Sequence, residues 1–151
     1  VVLWLAGCSH CCKGCQNPLT WDPDGGLPFD EAAKQEIFDQ LDKSYISGIT
    51  FSGGDPLHNA NRLGVRALIG EIKEKYPDKT IWVYTGSKWE DIWHYPIMKN
   101  VDVVVDGEYV QELRDTKLLW KGSSNQRVID VQATLKQTDP LKPVLHCNNY
   151  E

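Results

Sequence analysis

Four cysteines lie within eight residues of this sequence, at Cys8, Cys11, Cys12 and Cys15. Thiolates are soft ligands, and several of them on one tight loop can point inward at a zinc ion or an iron–sulfur cluster. The first, third and fourth cysteines form C-x3-C-x2-C, whereas the first, second and fourth form C-x2-C-x3-C, and the spacing alone favours neither. We therefore predict a metal site in one of these two registers. The fifth cysteine, Cys147, receives no role.

The number of ligands distinguishes three kinds of site. A structural zinc ion is normally held by four ligands, and Cys11 or His10 could supply the fourth. Such a zinc site would make the chain a metal-stabilised binding module, and an iron–sulfur cluster alone would make it an electron-transfer module. Most protein-held [4Fe-4S] clusters use four cysteines, so three would leave one iron open to an outside ligand. An open iron predicts catalysis.

The composition limits the classes of partner. The chain has 151 residues, of which 41% are hydrophobic and 25% charged, so we expect one soluble domain over residues 1–151. Its formal net charge is −5 and it has no dense run of Lys or Arg, which argues against nucleic-acid binding. The longest apolar stretch, residues 1–6, is too short to span a membrane and lacks the flanks of a signal peptide, so we expect a cytoplasmic protein. The first residue is Val rather than Met, so we also expect an N-terminal segment to be missing.

The pattern of apolar residues predicts alternating strands and helices. Residues 1–6 form a continuous apolar run, typical of a strand buried on both faces, and the loop 7–28 that follows carries the clustered cysteines. The further predicted strands are 49–51, 81–85 and 101–105, and the predicted helices are 30–44, 61–76 and 88–95. This order predicts an α/β fold with a mostly parallel sheet.

Individual residues support these elements. Asp30 is a suitable N-cap for the first helix, and Pro77 ends the second. Four apolar side chains of the second helix are predicted to share one buried face: Leu63, Leu68, Ile69 and Ile72. After residue 106 the pattern weakens to short strands at 118–120 and 127–131, and the tail 132–151 receives no structural assignment.

The unusual motifs all follow predicted strands. Ligands of parallel α/β proteins collect at the carboxyl ends of the strands. The loops at these ends carry, in chain order, the clustered cysteines and residues 53–56, 85–87 and 106–108. We therefore expect four strand-end loops to converge on one site.

Several segments together resemble a known family. They are G-C-S-H at 7–10, G-C-Q-N at 14–17, T-W at 20–21, S-G-G-D-P-L-H at 52–58, V-Y-T-G at 83–86, V-V-D-G at 104–107 and W-K-G-S-S-N-Q-R at 120–127. With Cys8, Cys12 and Cys15 in C-x3-C-x2-C, they resemble the radical S-adenosylmethionine (SAM) superfamily and, within it, the activating proteins of anaerobic ribonucleoside-triphosphate reductases. The resemblance spans residues 1 to about 130, and Cys11 is an addition to its pattern.

This resemblance implies a fold, cofactors and a reaction. The implied fold is a partial (incomplete) β/α barrel of radical SAM type with a mostly parallel sheet. Cys8, Cys12 and Cys15 would hold three irons of a [4Fe-4S] cluster, and the fourth iron would bind SAM. Cleavage of SAM by one electron would give a 5′-deoxyadenosyl radical, which would generate a glycyl radical on the reductase. The implied partners are the glycyl radical subunit of that reductase and a one-electron donor such as flavodoxin or ferredoxin, with no nucleic acid and no membrane.

The resemblance and the strand-end positions also imply the residues that bind SAM. These are Gly14, Cys15, Gln16, Ser52, Gly53, Gly54, Asp55, Thr85, Gly86, Asp106, Glu108, Tyr109 and Val110. Gly53 and Gly54 lack a Cβ, so the backbone there could approach a ligand closely. Asp55 could place negative charge near the SAM ammonium or, because Pro56 follows it, could cap the next helix.

Two further predictions concern residues around the site. His10 lies close enough in sequence to the cysteines to tune a cluster. The polar segment 121–127 is a strong part of the resemblance and is predicted to contribute to partner docking.

Overall fold

The sheet has five strands in sequential order. The computed structural model describes residues 1–146, and its strands are β1 (Val2–Leu5), β2 (Gly48–Gly53), β3 (Thr80–Tyr84), β4 (Val103–Asp106) and β5 (Arg127–Asp130). Neighbouring strands are parallel from β1 to β4, and β5 is antiparallel to β4. The predicted α/β fold with a mostly parallel sheet is therefore confirmed.

Helices connect the parallel strands. They are α1 (Glu31–Leu41), α2 (Arg62–Lys75), α3 (Trp89–Ile92) and α4 (Val131–Leu135), with short 3-10 turns at Pro18–Thr20, Pro96–Asn100 and Gln111–Leu113. Their apolar side chains pack with one face of the sheet into the main core. Asp30 caps α1 as predicted, because its Oδ1 accepts a hydrogen bond from the Ala33 amide at 2.8 Å.

The buried face of α2 differs from the prediction at one position. Val65, Leu68, Ile69 and Ile72 are buried, whereas Leu63 is 76% exposed. Five residues along an α-helix correspond to about 140° of rotation, so Leu63 cannot share the face of Leu68. Val65, three residues before Leu68, takes that place.

The prediction that the first strand is buried on both faces is wrong. β1 lies at the edge of the sheet and pairs only with β2. Leu3 and Leu5 pack against the main core, but Val2 and Trp4 on the opposite face are 50% and 60% exposed. A continuous apolar run indicates burial on both faces only where other elements cover both faces. Here the helices cover one face.

A smaller apolar cluster occupies part of the opposite face. It contains Val103, Val105 and Val128, packed with Trp82, Tyr84 and Trp120. The rings of Trp82 and Trp120 meet edge to face at 5.1 Å, and the Tyr84 hydroxyl donates to the Trp120 carbonyl at 2.7 Å. This cluster lies on β3, β4 and β5, so the β1 end of that face remains exposed.

The chain after β4 contains one predicted strand rather than two. β5 forms within the range 127–131, but residues 118–120 form bends. Trp120 has a φ of 66°, in the left-handed region that an extended strand cannot adopt. The part of the tail that the structure describes contains α4 and a bridge between Ile129 and Leu145. Cys147 lies outside the described residues.

The helices of the described chain are short. None of those within residues 1–146 is long and apolar enough to cross a membrane.

Candidate active site

The loops after β1, β2, β3 and β4 meet at one open cleft of about 280 Å³, so the expected convergence of strand ends is confirmed. Many predicted site residues line it: Cys8, Cys12, Cys15, Gln16, Ser52, Gly53, Gly54, Thr85, Gly86 and Tyr109. Five others do not line it: Gly14, Asp55, Asp106, Glu108 and Val110. The strand-end rule therefore locates the cleft but not the direction of every side chain.

Three of the four clustered cysteines line the cleft, and Cys11 does not. Cys11 is exposed and has a φ of 50°, in the left-handed region. The Cys15 amide donates to the Cys12 carbonyl at 3.1 Å, and the Asn17 amide donates to the Cys15 Sγ at 3.4 Å. Burial raises the pKa of the Cys8 and Cys12 thiols, so both are neutral at pH 7 when no metal is bound.

The donor set fits an iron–sulfur cluster. Thiolate is the ligand that such clusters use, and Cys8, Cys12 and Cys15 face one cleft. Within residues 1–146, no three His, Cys, Asp or Glu side chains lie close enough to hold a single metal ion. A cluster of four irons is larger than one ion, so its ligands are held farther apart than those of one ion. The cleft thus offers three thiols in the C-x3-C-x2-C register.

The glycine pair at the end of β2 allows close packing of backbones. Gly53 has a φ of 99°, and a Cβ there would lie 2.5 Å from the Leu5 amide nitrogen. A Cβ on Gly54 would lie 2.6 Å from the Gly7 carbonyl oxygen. Both glycines line the cleft, but β1 and its following loop fill the space beside their Cα atoms. The missing Cβ atoms therefore admit neighbouring backbone, and the close approach of a ligand to these glycines stays a prediction.

Asp55 is a hydrogen-bonding centre beneath the cleft and is only 3% exposed. Its Oδ1 accepts from the Leu57 amide at 2.9 Å, and its Oδ2 accepts from the Thr85 hydroxyl at 3.1 Å and the Gly86 amide at 3.2 Å. It caps no helix, because α2 begins further along the chain. Burial raises the pKa of Asp55, but the hydrogen bonds from His10 and the Leu57 amide outweigh burial and leave that pKa below its ordinary value.

His10 lies between two carboxylates at the wall of the cleft. Its Nε2 is 2.7 Å from Asp55 Oδ2 and its Nδ1 is 2.9 Å from Glu108 Oε1. The hydrogen bond to Asp55, opposed by burial and assisted by Glu108, raises the pKa of His10 to about 9. The imidazole is therefore protonated at neutral pH and donates to both carboxylates. A Cβ on Gly86 would lie 2.5 Å from the imidazole Cδ2, so the ring requires glycine there.

Asp106 at the end of β4 is buried, and its side chain does not line the cleft. Its Oδ2 accepts from the Trp89 amide at 2.8 Å, and Arg127 donates to both of its oxygens. Arg127 also donates to both oxygens of Glu90, at 3.0 and 2.9 Å, and this lowers the pKa of Glu90. Both oxygens of Asp106 are thus engaged by protein groups, and its contact with SAM stays a prediction.

The remaining non-lining residues contact other loops around the cleft. Glu108 contacts the imidazole described above, and the Val110 amide donates to the Ser123 hydroxyl at 3.2 Å. Gly14 has a φ of 75°, and a Cβ there would lie 2.6 Å from the Gln111 side chain. These three residues therefore connect the loops around the cleft.

The polar segment 121–127 is tied to the strand-end loops of the protein itself. Asn125 donates to the Glu108 carbonyl at 2.8 Å, and Gln126 donates to the Gly107 carbonyl at 3.0 Å. The Oε1 of Gln126 also accepts from the Gly122 amide at 2.9 Å. These two amide side chains shape the cleft, and partner docking stays a prediction for the segment.

Nine further residues line the cleft that were not among the predicted cluster ligands and SAM contacts, namely Trp4, His10, Asn17, Thr20, Trp21, Tyr84, Gly107, Gly122 and Gln126. Side-chain alternation could have found some of them. Trp4 lies directly opposite Ser52 on the neighbouring strand, on the same face of the sheet. Since Ser52 was predicted to line the site, strand pairing would have added Trp4. The sequence placed His10 near the cysteines but not its contacts, because Asp55 and Glu108 are distant in sequence.

A cleft at the carboxyl ends of parallel strands, lined by three cysteines, defines a class of α/β iron–sulfur proteins. The sequence profile of the family described as "4Fe-4S single cluster domain" matches residues 1–129. Several curated relatives are named anaerobic ribonucleoside-triphosphate reductase-activating protein, and the chain belongs to their family.

Three of these relatives show the extent of the similarity. The protein of Enterobacteria phage T4 is 45% identical over 128 residues, which cover 85% of this chain and 81% of the relative. That of Escherichia coli strain K12 is 41% identical over 130 residues, covering 83% and 84%. That of Haemophilus influenzae is 39% identical over 128 residues, covering 82% and 83%. No solved structure matches the chain with statistical significance.

Proposed function

We propose that the chain is a radical SAM activating enzyme that generates a glycyl radical on an anaerobic ribonucleoside-triphosphate reductase. The observation that carries the proposal is the position of Cys8, Cys12 and Cys15 on one strand-end cleft, with Cys11 outside it. Three thiolates leave one iron of a [4Fe-4S] cluster for an outside ligand. The names of the relatives supply the reductase as partner.

The protein binds and orients its cofactors and excludes competing reactions. When bound, the reduced cluster and SAM would supply one-electron chemistry: cleavage of SAM to methionine and a 5′-deoxyadenosyl radical able to take a hydrogen atom from a glycine Cα of the reductase. Cys8, Cys12 and Cys15 would hold the cluster as thiolates. Because burial raises the pKa of the first two thiols, binding of the cluster releases their protons.

We assign SAM to the part of the cleft beside the cysteines. The residues proposed to contact it are Cys15, Gln16, Ser52, Gly53, Gly54, Thr85, Gly86 and Tyr109, all of which line the cleft. The carbonyl groups of Gly53 and Gly54 are suitable acceptors for the SAM ammonium. Gly14, Asp55, Asp106, Glu108 and Val110 are proposed to support these contacts from the protein side.

The proposal includes a partial β/α barrel of radical SAM type within a single domain over residues 1–151. Four parallel strands in sequential order and helices on one face support it. The exposure of Val2 and Trp4 on the other face leaves one side open for a protein substrate. The chain is further proposed to be cytoplasmic, to use a one-electron donor such as flavodoxin or ferredoxin, and to bind neither nucleic acid nor membrane, in keeping with its net charge of −5.

Anaerobic reconstitution tests the proposal. The chain is loaded with iron and sulfide, reduced, and given SAM, and we expect 5′-deoxyadenosine as product. Addition of the reductase should then produce a glycyl radical signal in electron paramagnetic resonance (EPR). A well-formed cluster that yields no 5′-deoxyadenosine would make the chain an electron carrier, and a colourless protein with one zinc and no sulfide would make it a binding module.

Two neighbouring cysteines form a matched pair for the ligand assignment. We expect Cys12→Ser to lose the cluster, because this thiol lines the cleft, and Cys11→Ser to keep it. Iron and sulfide content and the visible absorption spectrum measure both. Retention of the cluster in Cys12→Ser together with its loss in Cys11→Ser would instead assign the ligands to the C-x2-C-x3-C register.

A further inference from the structure

His10 connects loops from four strand ends, yet none of the steps proposed above assigns it a role. It belongs to the cysteine loop after β1, and it binds Asp55 after β2 and Glu108 after β4. We infer that His10 is a positioning residue that fixes the cysteine loop relative to the strand ends that bind SAM. The inference rests on the proposed function and adds to it a residue that is neither a cysteine ligand nor one of the predicted SAM contacts.

The contacts of the imidazole are suited to this role. Both ring nitrogens are engaged, at 2.7 Å from Asp55 and 2.9 Å from Glu108, so the ring cannot rotate without losing both contacts. The Asp55 oxygen that faces Nε2 also accepts from the Thr85 hydroxyl and the Gly86 amide. One carboxylate oxygen therefore joins the cysteine loop to the end of β3.

The space for the ring is built into the β3 loop. A Cβ on Gly86 would lie within 2.5 to 2.7 Å of three atoms of the His10 ring. The side chain of His10 is 18% exposed, and Gly86 lines the same cleft. The imidazole is thus packed flat against backbone that belongs to the proposed SAM site.

In this inference, Glu108 affects SAM cleavage through its contact with His10 and not through a contact with SAM. The family resemblance predicts that Glu108 contacts SAM, but its carboxylate binds the imidazole and Glu108 does not line the cleft. A direct contact and a positioning role predict different behaviour in a double-mutant cycle. An effect transmitted through His10 disappears when the imidazole is removed, whereas a direct contact with SAM keeps its effect.

The first experiment compares His10→Ala with wild type after reconstitution. We expect unchanged iron and sulfide content, a fall in kcat for SAM cleavage of about tenfold, and a weaker SAM-induced change in the EPR spectrum of the reduced cluster. His10→Gln can keep one of the two hydrogen bonds, so its kcat for SAM cleavage should lie between those of wild type and His10→Ala. Glu112→Gln is the matched control, because it removes only an exposed ion pair between Lys13 of the same loop and the 3-10 turn. SAM cleavage at the wild-type rate in both His10 variants would overturn the inference.

The second experiment is the cycle itself. Glu108→Gln should lower SAM cleavage about threefold in the wild-type background, as expected for a partly exposed contact, and should have no further effect in His10→Ala. A threefold loss that persists in His10→Ala would contradict the inference and indicate a direct contact of Glu108 with SAM.

The third experiment uses the cluster-free protein, so it stands whether or not the chain cleaves SAM. Hydrogen–deuterium exchange of peptides that cover residues 7–16 should be about tenfold faster in His10→Ala than in wild type or Glu112→Gln. The Gly7 and Cys8 amides, which donate to the Thr20 and Trp21 carbonyls, report on the loop. Equal exchange in all three proteins would show that His10 does not hold the loop. Absence of SAM cleavage by wild type would contradict the proposed function alone.

Discussion

Two buried aspartates at the ends of β2 and β4 have partners of different kinds. Asp106, at the end of β4, binds Arg127 and the Trp89 amide, and none of the three lines the cleft. Asp55, just after β2, binds His10, which lines the cleft, and groups at the end of β3. A buried aspartate at a strand end is therefore no sign of cofactor contact by itself. Its importance for the chemistry depends on whether its partner faces the cleft.

Removal of Asp106 should have the largest effect on stability. We expect Asp106→Ala to lower the free energy of unfolding by about 3 kcal/mol, because it leaves Arg127 without its buried partner and the Trp89 amide without an acceptor. Urea unfolding of the cluster-free protein measures this loss. Asp115→Ala is the control, since that carboxylate is exposed and accepts from the Lys117 amide, and it should change stability by less than about 0.5 kcal/mol. Similar losses in both variants would contradict the framework role of Asp106.

Removal of the charge of Asp55 should affect chemistry more than stability. Asp55→Asn keeps an oxygen for the Leu57 amide but weakens the contact with His10, so we expect a loss of about 2 kcal/mol in the free energy of unfolding. SAM cleavage per folded chain should fall about tenfold. The ratio of rate loss to stability loss should therefore be larger for Asp55→Asn than for Asp106→Ala. An equal ratio for the two would abolish the distinction between them.

Replacing each of two glycines by alanine should change the free energy of unfolding in opposite directions. One of them, Gly86, packs against the imidazole that binds Asp55. Gly86→Ala should lower the free energy of unfolding by about 1–2 kcal/mol, because the new methyl group overlaps the His10 ring. Gly70→Ala is the matched control: it lies inside α2 with nothing within 4 Å of the new Cβ, and it should raise stability by about 0.5–1 kcal/mol. Thermal or urea unfolding measures both changes. A neutral Gly86→Ala would show that the imidazole moves aside without cost.

The smallest expected effect is a loss of stability in acid from the ion pair between Arg127, which binds Asp106, and Glu90. Arg127 lowers the pKa of Glu90 below its ordinary value of 4.5, so this contact stabilises the fold above that pH. The contribution of this contact to the free energy of unfolding falls as the pH drops below 4.5. It is lost once the pH has passed the lower pKa that Glu90 has in the folded state. We expect wild type to exceed Glu90→Gln by about 0.5 kcal/mol at pH 7, because the pair is partly exposed, and the difference to vanish in acid. Urea unfolding at both pH values tests this, and a difference that does not shrink in acid would contradict the pairing.

Local sequence was sufficient for most elements. Helix α1 follows from its apolar spacing and the Asp30 cap, and the parallel sheet follows from the alternation of strands and helices. The burial of β1 did not follow, because exposure of Val2 and Trp4 depends on which elements cover the far face. The bends at 118–120 were also missed, since the left-handed backbone of Trp120 has no signal in its residue type.

The candidate site was predictable in position but not in detail. The strand-end rule located the cleft and many of its lining residues, because it depends only on element order. The directions of Asp55 and Asp106 depend on hydrogen-bond partners from other loops. Which of Cys11 and Cys12 lines the cleft depends on the local backbone, where a φ of 50° accompanies the exposure of Cys11. Spacing alone carries no such information.

The long separation between His10 and its partners also sets an order of events during synthesis. Asp55 follows His10 by 45 residues and Glu108 follows it by 98. A ribosome that adds about 5–20 residues per second makes Glu108 about 5–20 s after His10. The nascent chain therefore presents its cysteines long before the residues that contact His10 exist. The contacts that fix the cysteine loop form only after β4 and the loop that follows it have left the ribosome.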